Sequence, residues 1–471
     1  MRNVTLHRFA IIMAALVCIL SGSALDLPVK KLDGTSYYYY KVKKNETVYG
    51  VSKKLGLTRD EIVRHNPSAD DGLKKGMVLY FPYDEYSPET TAQTEAESPV
   101  EEVADTVAAI RPTIALMLPF GLENPEPSRR NRLALDFYKG FLLAADTLAQ
   151  RPGMVDIYAI DTEVDSARFG ALLDSPEIAG ASVIVAPDSE SDLRRIAEST
   201  AGNGVNVLNI FIVADSLYLT YPQVLQANIP QRDMYRIAVD AFEADFGDFI
   251  PVILRSQTGK NEKEQFVNYL MERCVQRGVT PIEVNYESNL VSANLDALDL
   301  SAGQKYVIVP SSGSLAEFNK FAYVVKTFRD RIEADPEAEG VRIEVFGYPD
   351  WTVFRNDALD ILHKLGATVY SRFFDNFRSF DSRNIQADFK RWYGDSIIES
   401  VPSHALLGYD TGCYLIRNLR TNGGQYNPLN PRSYQGLQST FDFTRSGEGY
   451  CNSVLYIIKY LPDGSMTSRV L

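Results

Sequence analysis

Four short loops carry the side chains of this 471-residue chain that could hold a small ligand. Pro119-Phe120 follows the apolar run TIALML, and Pro187-Asp188-Ser189-Glu190 follows SVIVA. Ser311-Ser312-Gly313-Ser314 follows KYVIVP, and Tyr348-Pro349-Asp350-Trp351 follows IEVFG. Runs of this kind, separated by helical stretches, read as parallel strands, and ligands of open parallel sheets bind beyond the strands' carboxyl ends. The second and third loops each open a helix, whose first amides and dipole favour an anionic group. The candidates are Phe120, Asp188, Ser189, Ser312, Ser314, Tyr348, Asp350 and Trp351. Several have a plainer use as well: Ser189 and Ser314 are good N-caps with or without a ligand, Asp350 can cap the next helix, and Trp351 can be core.

Catalytic chemistry has no comparable footing. The chain has no GxSxG, HExxH, P-loop or phosphate-binding GxGxxG. Its four histidines, His7, His65, His363 and His404, are scattered, and there is no CxxC, so neither a zinc site nor a cofactor motif is expected. Past the N-terminal segment the cysteines are Cys274, Cys413 and Cys451, an odd number. One pair, Cys413 with Cys451, or three buried thiols both remain open.

The elements that must position the loops come from residues 112–471. Short apolar strands alternate there with helices, which predicts parallel sheets covered on both faces. Some 360 residues exceed one core, so two lobes are expected. This region resembles the type I periplasmic binding fold, the family that includes leucine-type amino-acid receptors. The resemblance rests on IALMLPF with the helix FYKGFLLAADTL, on VIVAPDS, VYSRFF and GYDTGCYLIRNL, and on the ending YQGLQSTFDF…SVLYIIKYLPDG. It implies three crossings between lobes, placed near 225–230, 368–374 and 436–442. Lobe one is then about 112–228 with 373–438, and lobe two about 229–372 with 439–471. It also implies that groups after VIVAP hold a ligand carboxylate and that Asp350 meets an ammonium. One departure stands out: Phe211-Ile212-Val213-Ala214 follows VNVLNI, where amino-acid receptors of the family carry Ser or Thr.

Residues 40–82 have a different character. Tyr40 and Val42 alternate with lysines as in a half-buried strand, and Val48, Val51 and Leu55 recur at helical spacing. Thr58 and Glu61 form a capping box for a second helix, Asn66-Pro67 stops it, and 77–81 closes as a strand. With its opening YKV, NET turn, VYGVSKKLG, LTRDEIVRHNP and LKKGMVLYFP, the stretch resembles a LysM domain, a βααβ module that binds N-acetylglucosamine glycans such as peptidoglycan. The resemblance implies glycan contacts at Glu46, Thr47 and Val48 on one side and at Asn66, Pro67, Gly72 and Leu73 on the other. Asn66 can equally tie down its own loop, and Leu73 can pack in the core.

The remaining segments place these parts. Arg2, His7 and Arg8 precede an apolar run of about a dozen residues, short of the roughly 20 that span a membrane, and Ser-Gly-Ser-Ala follows. This predicts a signal peptide over 1–24, with 25–39 as a lead-in. Residues 83–111 are acidic and poor in large apolar side chains, which predicts a disordered linker. The net charge of −13 argues against nucleic-acid binding. Together these readings describe a multidomain, exported, periplasmic, non-catalytic protein held on peptidoglycan, whose two-lobed α/β domain binds a small solute such as an amino acid or peptide-like ligand, with an ABC transporter as partner. The alternative is a regulator or scaffold of cell-wall synthases with a vestigial cleft, a use of this fold implied by the same resemblance.

Overall fold

The computed structural model describes residues 27–32, 35–43, 46–55, 57, 59–66, 69, 73–82, 111–148, 155–214, 216–296, 298–375 and 379–471. The expected signal peptide, the linker up to residue 110, Pro67 and Gly72 lie outside them. The chain divides into two compact units, 1–108 and 109–471.

The N-terminal unit is a three-stranded antiparallel sheet, β1 (Val29–Leu32), β2 (Thr35–Lys41) and β3 (Val78–Pro82), with α1 (Val48–Leu55) and α2 (Arg59–His65) between the last two strands. Tyr38, Tyr40 and Val42 point inward with the period of two that a strand imposes, and meet Val51 and Ile62 from the helices and Leu79 and Phe81 from β3. Within the expected lead-in at 25–39, residues 29–32 and 35–39 are therefore strand. The inward alternation begins at Tyr38, so the tyrosine run is already inside β2, and β1 pairs with it.

The larger unit begins with β4 (Thr113–Leu118), α3 (Arg129–Leu148), β5 (Asp156–Asp161), α4 (Ser166–Leu173), α5 (Pro176–Ala179), β6 (Val183–Val185), α6 (Glu190–Ser199), β7 (Asn206–Asn209) and β8 (Val224–Gln226). The chain then crosses into a second lobe and runs through α7 (Gln231–Phe246), β9 (Ile250–Ser256), α8 (Glu264–Arg277), β10 (Ile282–Tyr286) and β11 (Lys305–Pro310). That lobe continues with α9 (Leu315–Glu333), β12 (Arg342–Gly347), α10 (Asn356–Leu365) and β13 (Thr368–Ser371). After Ser371 the chain returns for α11 (Phe380–Tyr393), α12 (His404–Thr421), β14 (Ser433–Gln435), β15 (Thr440–Ser446) and β16 (Gly449–Asn452), and it ends on β17 (Tyr456–Tyr460) and β18 (Met466–Val470).

The first lobe's eight-stranded sheet has the order β14-β15-β16-β8-β7-β6-β4-β5, parallel from β16 to β5. The second lobe's seven-stranded sheet has the order β10-β9-β11-β12-β13-β17-β18, parallel up to β13 and antiparallel beyond. Both sheets are buried on two faces, which is why their central strands are apolar throughout. Ile114, Leu116 and Leu118 enter one core while Ala115 and Met117, between them, enter the other.

The third crossing was expected at 436–442 and lies instead between β16 and β17, at residues 453–455. Residues 439–452 belong to the first lobe because β15 pairs with β14 and β16, and β16 joins β8 in parallel.

Helices α3 and α12 touch backbone to backbone. A Cβ on Gly140 would lie 1.9 Å from the Ala405 carbonyl oxygen, and one on Gly408 would lie 1.9 Å from that of Phe137. Inside α12, Asp410 is fully buried and its carboxylate accepts the backbone N–H groups of Leu437, Gln438 and Ser439 at 2.7, 2.8 and 2.8 Å. This bond set ties α12 to the approach into β15. Cys274, Cys413 and Cys451 are buried and in no disulfide, so Cys413 and Cys451 do not pair.

Candidate ligand site

At the carboxyl edge of the first sheet, a small amide network shapes the loop after β7. Asn209 Nδ2 donates to the Ile212 carbonyl at 2.9 Å and to Gln226 Oε1 at 2.8 Å, and its Oδ1 accepts the Ile212 N–H at 3.0 Å. Gln226 Nε2 donates to the Ile212 carbonyl at 2.8 Å, and Asn228 Nδ2 donates to that of Ile210 at 2.7 Å. The loop so held presents Phe211, which meets Phe137 edge-on at 5.2 Å and stacks on His404 at 6.2 Å. Here an aromatic face stands where the sequence departs from Ser or Thr.

A cavity of about 480 Å³ opens beside it. Leu118, Leu133, Ile210, Phe211, Phe373 and Leu407 form much of its wall, and Arg129, Arg130, Asp188, Arg372 and His404 are its charged or titratable members. Arg130 is consumed locally: it grips Asp188 through Nε at 2.8 Å and Nη2 at 2.5 Å and reaches Glu163 at 2.8 Å, which holds its guanidinium above the ordinary value. Burial pushes the His404 imidazole below its ordinary value, so the ring beside Phe211 is neutral at pH 7. Arg372 leaves β13 at the second crossing, donates from Nε to the Ile229 carbonyl at 2.8 Å and from Nη2 to Gln231 Oε1 at 2.9 Å, and is pushed down to about 10 by burial.

Of the sequence candidates in this lobe, Asp188 lines the cavity, bound to Arg130. Phe120 packs edge-on against Tyr138 at 5.6 Å, and Ser189 caps α6 by accepting the Asp192 N–H at 3.3 Å.

The second lobe's loops are occupied by their own chain. Glu262 Oε1 accepts the Ser312 hydroxyl at 2.9 Å and the Gly313 N–H at 2.8 Å, the groups that open α9. Ser314 caps that helix by accepting the Glu317 N–H at 3.3 Å. Lys263 Nζ sits 2.7 Å from Asp350 and over the Tyr348 ring at 5.3 Å. The adjacent carboxylate and ammonium of Glu262 and Lys263 thus take the places expected for a ligand's two charges. Tyr348 and Trp351 are corrections. Tyr348 is fully buried with its hydroxyl donating to the Pro310 carbonyl at 2.6 Å, and the 3-10 turn Pro349–Val353 tucks Trp351 under Phe318 and Phe354 in the core. None of Ser312, Ser314, Tyr348, Asp350 and Trp351 lines the first-lobe cavity.

In the N-terminal unit, Glu46 accepts the Tyr40 hydroxyl at 2.6 Å and the Lys43 N–H at 2.7 Å and pairs with Lys54 at 3.3 Å. Thr47 caps α1 by accepting the Gly50 N–H at 2.9 Å. Val48 is buried in the core, which removes it as a surface contact, while Leu73 packs against that core and stays partly exposed. Asn66 is likewise buried and spent on its scaffold, with Nδ2 on the Ile62 and Tyr80 carbonyls at 3.0 Å each and Oδ1 on the Tyr80 N–H at 2.7 Å.

Sequence reading missed Arg372, Phe373 and His404 as cavity residues and Lys263 as the partner of Asp350. Phe211 alone had a signal, its place after VNVLNI. No group of three or more His, Cys, Asp or Glu among the described residues could hold a metal ion, and no described helix is long and apolar enough to cross a membrane.

No protein-family model matches the chain, and no curated protein matches it in sequence. Solved structures do. A putative branched-chain amino acid ABC transporter from Rhodospirillum rubrum aligns at TM-score 0.52 and 12% identity, over 77% of this chain and 100% of that one. An ABC transporter substrate-binding protein from Desulfitobacterium hafniense, in complex with Leu, aligns at 0.41 and 15%, over 76% and 100%. LpoA of Haemophilus influenzae aligns at 0.45 and 15%, over 82% of this chain and 64% of that one. The first of these likenesses is one of fold: the larger unit is a two-lobed α/β structure with mostly parallel sheets, of the type I periplasmic binding kind.

Proposed function

We propose that this chain is an exported, cell-wall-associated binding protein without catalytic activity, whose larger unit holds a small molecule in the first-lobe cavity. The observation that carries this reading is the cavity itself. Its volume of about 480 Å³ suits a small ligand, its wall is largely apolar with a few charged groups, and it lies at the strand ends where parallel sheets bind ligands. The fold likeness to a putative amino acid ABC transporter component supports a binding role and an ABC transporter as partner.

The N-terminal unit is read as a LysM module that attaches the protein to peptidoglycan through N-acetylglucosamine, on the strength of its sequence motifs and its helix-pair-on-sheet arrangement. A single module of this kind binds weakly, and confinement at the wall raises its effective concentration. Two measurements test the proposal with the full chain. A panel of small solutes should raise the melting temperature, and Leu133→Trp, which fills the cavity wall, should abolish the rise; a flat response to every solute defeats the binding reading. Retention on purified sacculi should drop to background when 40–82 is deleted, and undiminished retention removes the wall attachment.

A second reading is favoured by the second lobe's self-neutralised loops. There the chain is a regulator or scaffold of cell-wall synthases and the cleft is vestigial. Co-purification with a synthase together with a flat solute response favours it.

A further inference from the structure

We infer that the first-lobe cavity selects an anion with an apolar body and no ammonium group, anchored by Arg372 with Arg129 beside it. This rests on reading the cavity as a ligand site and names the class of ligand that it takes.

The charge balance of the wall comes first. Three guanidinium groups and one carboxylate line the cavity. Asp188 is shared with Arg130, which Glu163 also engages. That leaves two cations uncompensated. Arg129 donates from Nη2 to a carbonyl, that of Glu399, at 2.7 Å. Arg372 donates to the Ile229 carbonyl and to the neutral Gln231 amide, and makes no ion pair among the described residues. Its Nη1 has no hydrogen bond among the described residues either. Neutral acceptors satisfy a guanidinium's geometry without cancelling its charge; Arg129 is exposed and hydrated, whereas the uncompensated charge of the partly buried Arg372 against an apolar wall is costly until an anion meets it. A carboxylate, sulfonate or phosphate suits the planar fork, because arginine presents parallel N–H groups to two oxygens at once.

The absence of an ammonium follows from the acceptors. Asp350, the carboxylate expected from sequence to meet an ammonium, and Asp188, the carboxylate in the cavity wall, already have cationic partners, Lys263 at 2.7 Å and Arg130 at 2.5 Å. The amide oxygens of Asn209 and Gln226 at the loop after β7 are taken within the chain, and the amide in the wall itself, Asn228, is a neutral acceptor that cannot balance a cation. His404, neutral and stacked on Phe211, adds an aromatic surface and no charge. An amino acid placed here would bury its ammonium among uncompensated arginines. The same molecule without the amino group would not.

The body of the ligand is set by Leu118, Leu133, Ile210, Phe211 and Leu407. These are branched or aromatic side chains with no hydrogen-bonding groups, so a branched aliphatic or phenyl group fits them better than a sugar or a peptide backbone.

The test uses the full chain and probes that share one body and differ in charge. 4-Methylpentanoate, L-leucine and 3-methylbutylamine form one set; 3-phenylpropanoate, L-phenylalanine and 2-phenylethylamine form a second. Calorimetric titration should show each carboxylate bound at least about tenfold more tightly than its amino acid, as the cost of burying an unpaired ammonium beside a guanidinium predicts, and no binding of the amines. Arg372→Gln should weaken the carboxylates by about tenfold or more, Arg129→Gln by less, and Arg372→Lys should keep part of the affinity because it keeps the charge. Melting curves without probe check that the variants fold. If Arg372→Gln does not, Arg372→Lys and Arg129→Gln carry the comparison. Amino acids bound as tightly as their carboxylates, with binding lost in Leu133→Trp, would overturn the charge selection and leave the cavity a ligand site. Carboxylate affinity unchanged in both Arg129→Gln and Arg372→Lys also overturns it. No binding by any probe removes the ligand site and the selection together.

Discussion

At the carboxyl edge of the first sheet, the loop after β7 is pinned by amides and leaves a cavity with two uncompensated arginines. At the same edge of the second sheet, the loop that opens α9 has its N–H and hydroxyl groups on Glu262, and Asp350 has Lys263. Both lobes therefore build a strand-end loop with a capped helix behind it, and only one leaves charge unspent. A helix N-terminus or a well-placed aspartate marks where a ligand could be held. Whether it is held depends on what the rest of the chain brings to the same place.

The lobes also differ in how their interiors carry charge. Burial pushes Asp136, Asp375 and Asp410 up, the last two to about 6 and about 7, and all three lie in the first lobe or the crossing into it. In the second lobe the shifted carboxyls move down. Burial opposes this at Glu317, yet its bonds to Lys320 and Tyr286 outweigh it.

The contrast can be broken at several points. The largest loss is expected from Asp410→Ala, which strands three backbone N–H groups, those of Gln438 and Ser439 buried and that of Leu437 partly so. At roughly 1–3 kcal/mol for each unsatisfied group, a cost of about 3 kcal/mol or more should appear in urea unfolding. Next come paired glycine substitutions. Gly408→Ala drives a Cβ to 1.9 Å from a backbone oxygen between two helices and should cost about 1–3 kcal/mol. Gly313→Ala in the second lobe meets the Lys263 side chain at 2.8 Å and Asp350 at 2.9 Å, both able to swing away, and should cost less by the same measurement.

A pH test follows. Asp375 receives the Ser382 hydroxyl at 2.6 Å on one oxygen, while the other is buried without a partner among the described residues. Its folded-state value lies above the ordinary 3.8, so its stabilising contribution is complete below about 3.8 and is lost as pH rises through about 6. Asp375→Asn should leave the urea midpoint at pH 4 near that of the parent and flatten its fall toward pH 8. A variant that follows the parent's pH profile would show that Asp375 does not titrate in this range. The smallest effect is expected from Lys263→Met. Asp350 is partly exposed, so the lost pair should cost under about 1 kcal/mol in melting experiments, and the substitution makes the second lobe's edge resemble the first in having an unspent charge.

The sequence shows more of the scaffold than of the site, and particular residues say why. Strands such as VIV at Val183–Val185 stand out because a sheet buried on both faces needs apolar residues at every position. The third crossing was misplaced because β15 and β16 are short antiparallel strands whose alternation fixes their pairing with each other and says nothing about which sheet they join. Ser189 and Ser314 were legible as caps, because capping is local. Arg372 was not legible as a cavity residue, since its partner Gln231 lies 141 positions away, and nothing in VYSRFF marks that meeting. Asp350 was rightly seen as an acid at a strand end, but Lys263 reaches it from the start of another helix.

The three crossings, after β8, after β13 and at 453–455, have a consequence for cutting the molecule. The second lobe is built from two separate stretches, 231–371 and 456–470, and the first from the stretches around them. A protease that nicks one crossing leaves the lobes joined by the other two. Releasing a lobe takes three cuts. A reporter domain spliced into one crossing would still leave two covalent links to preserve the pairing of the lobes.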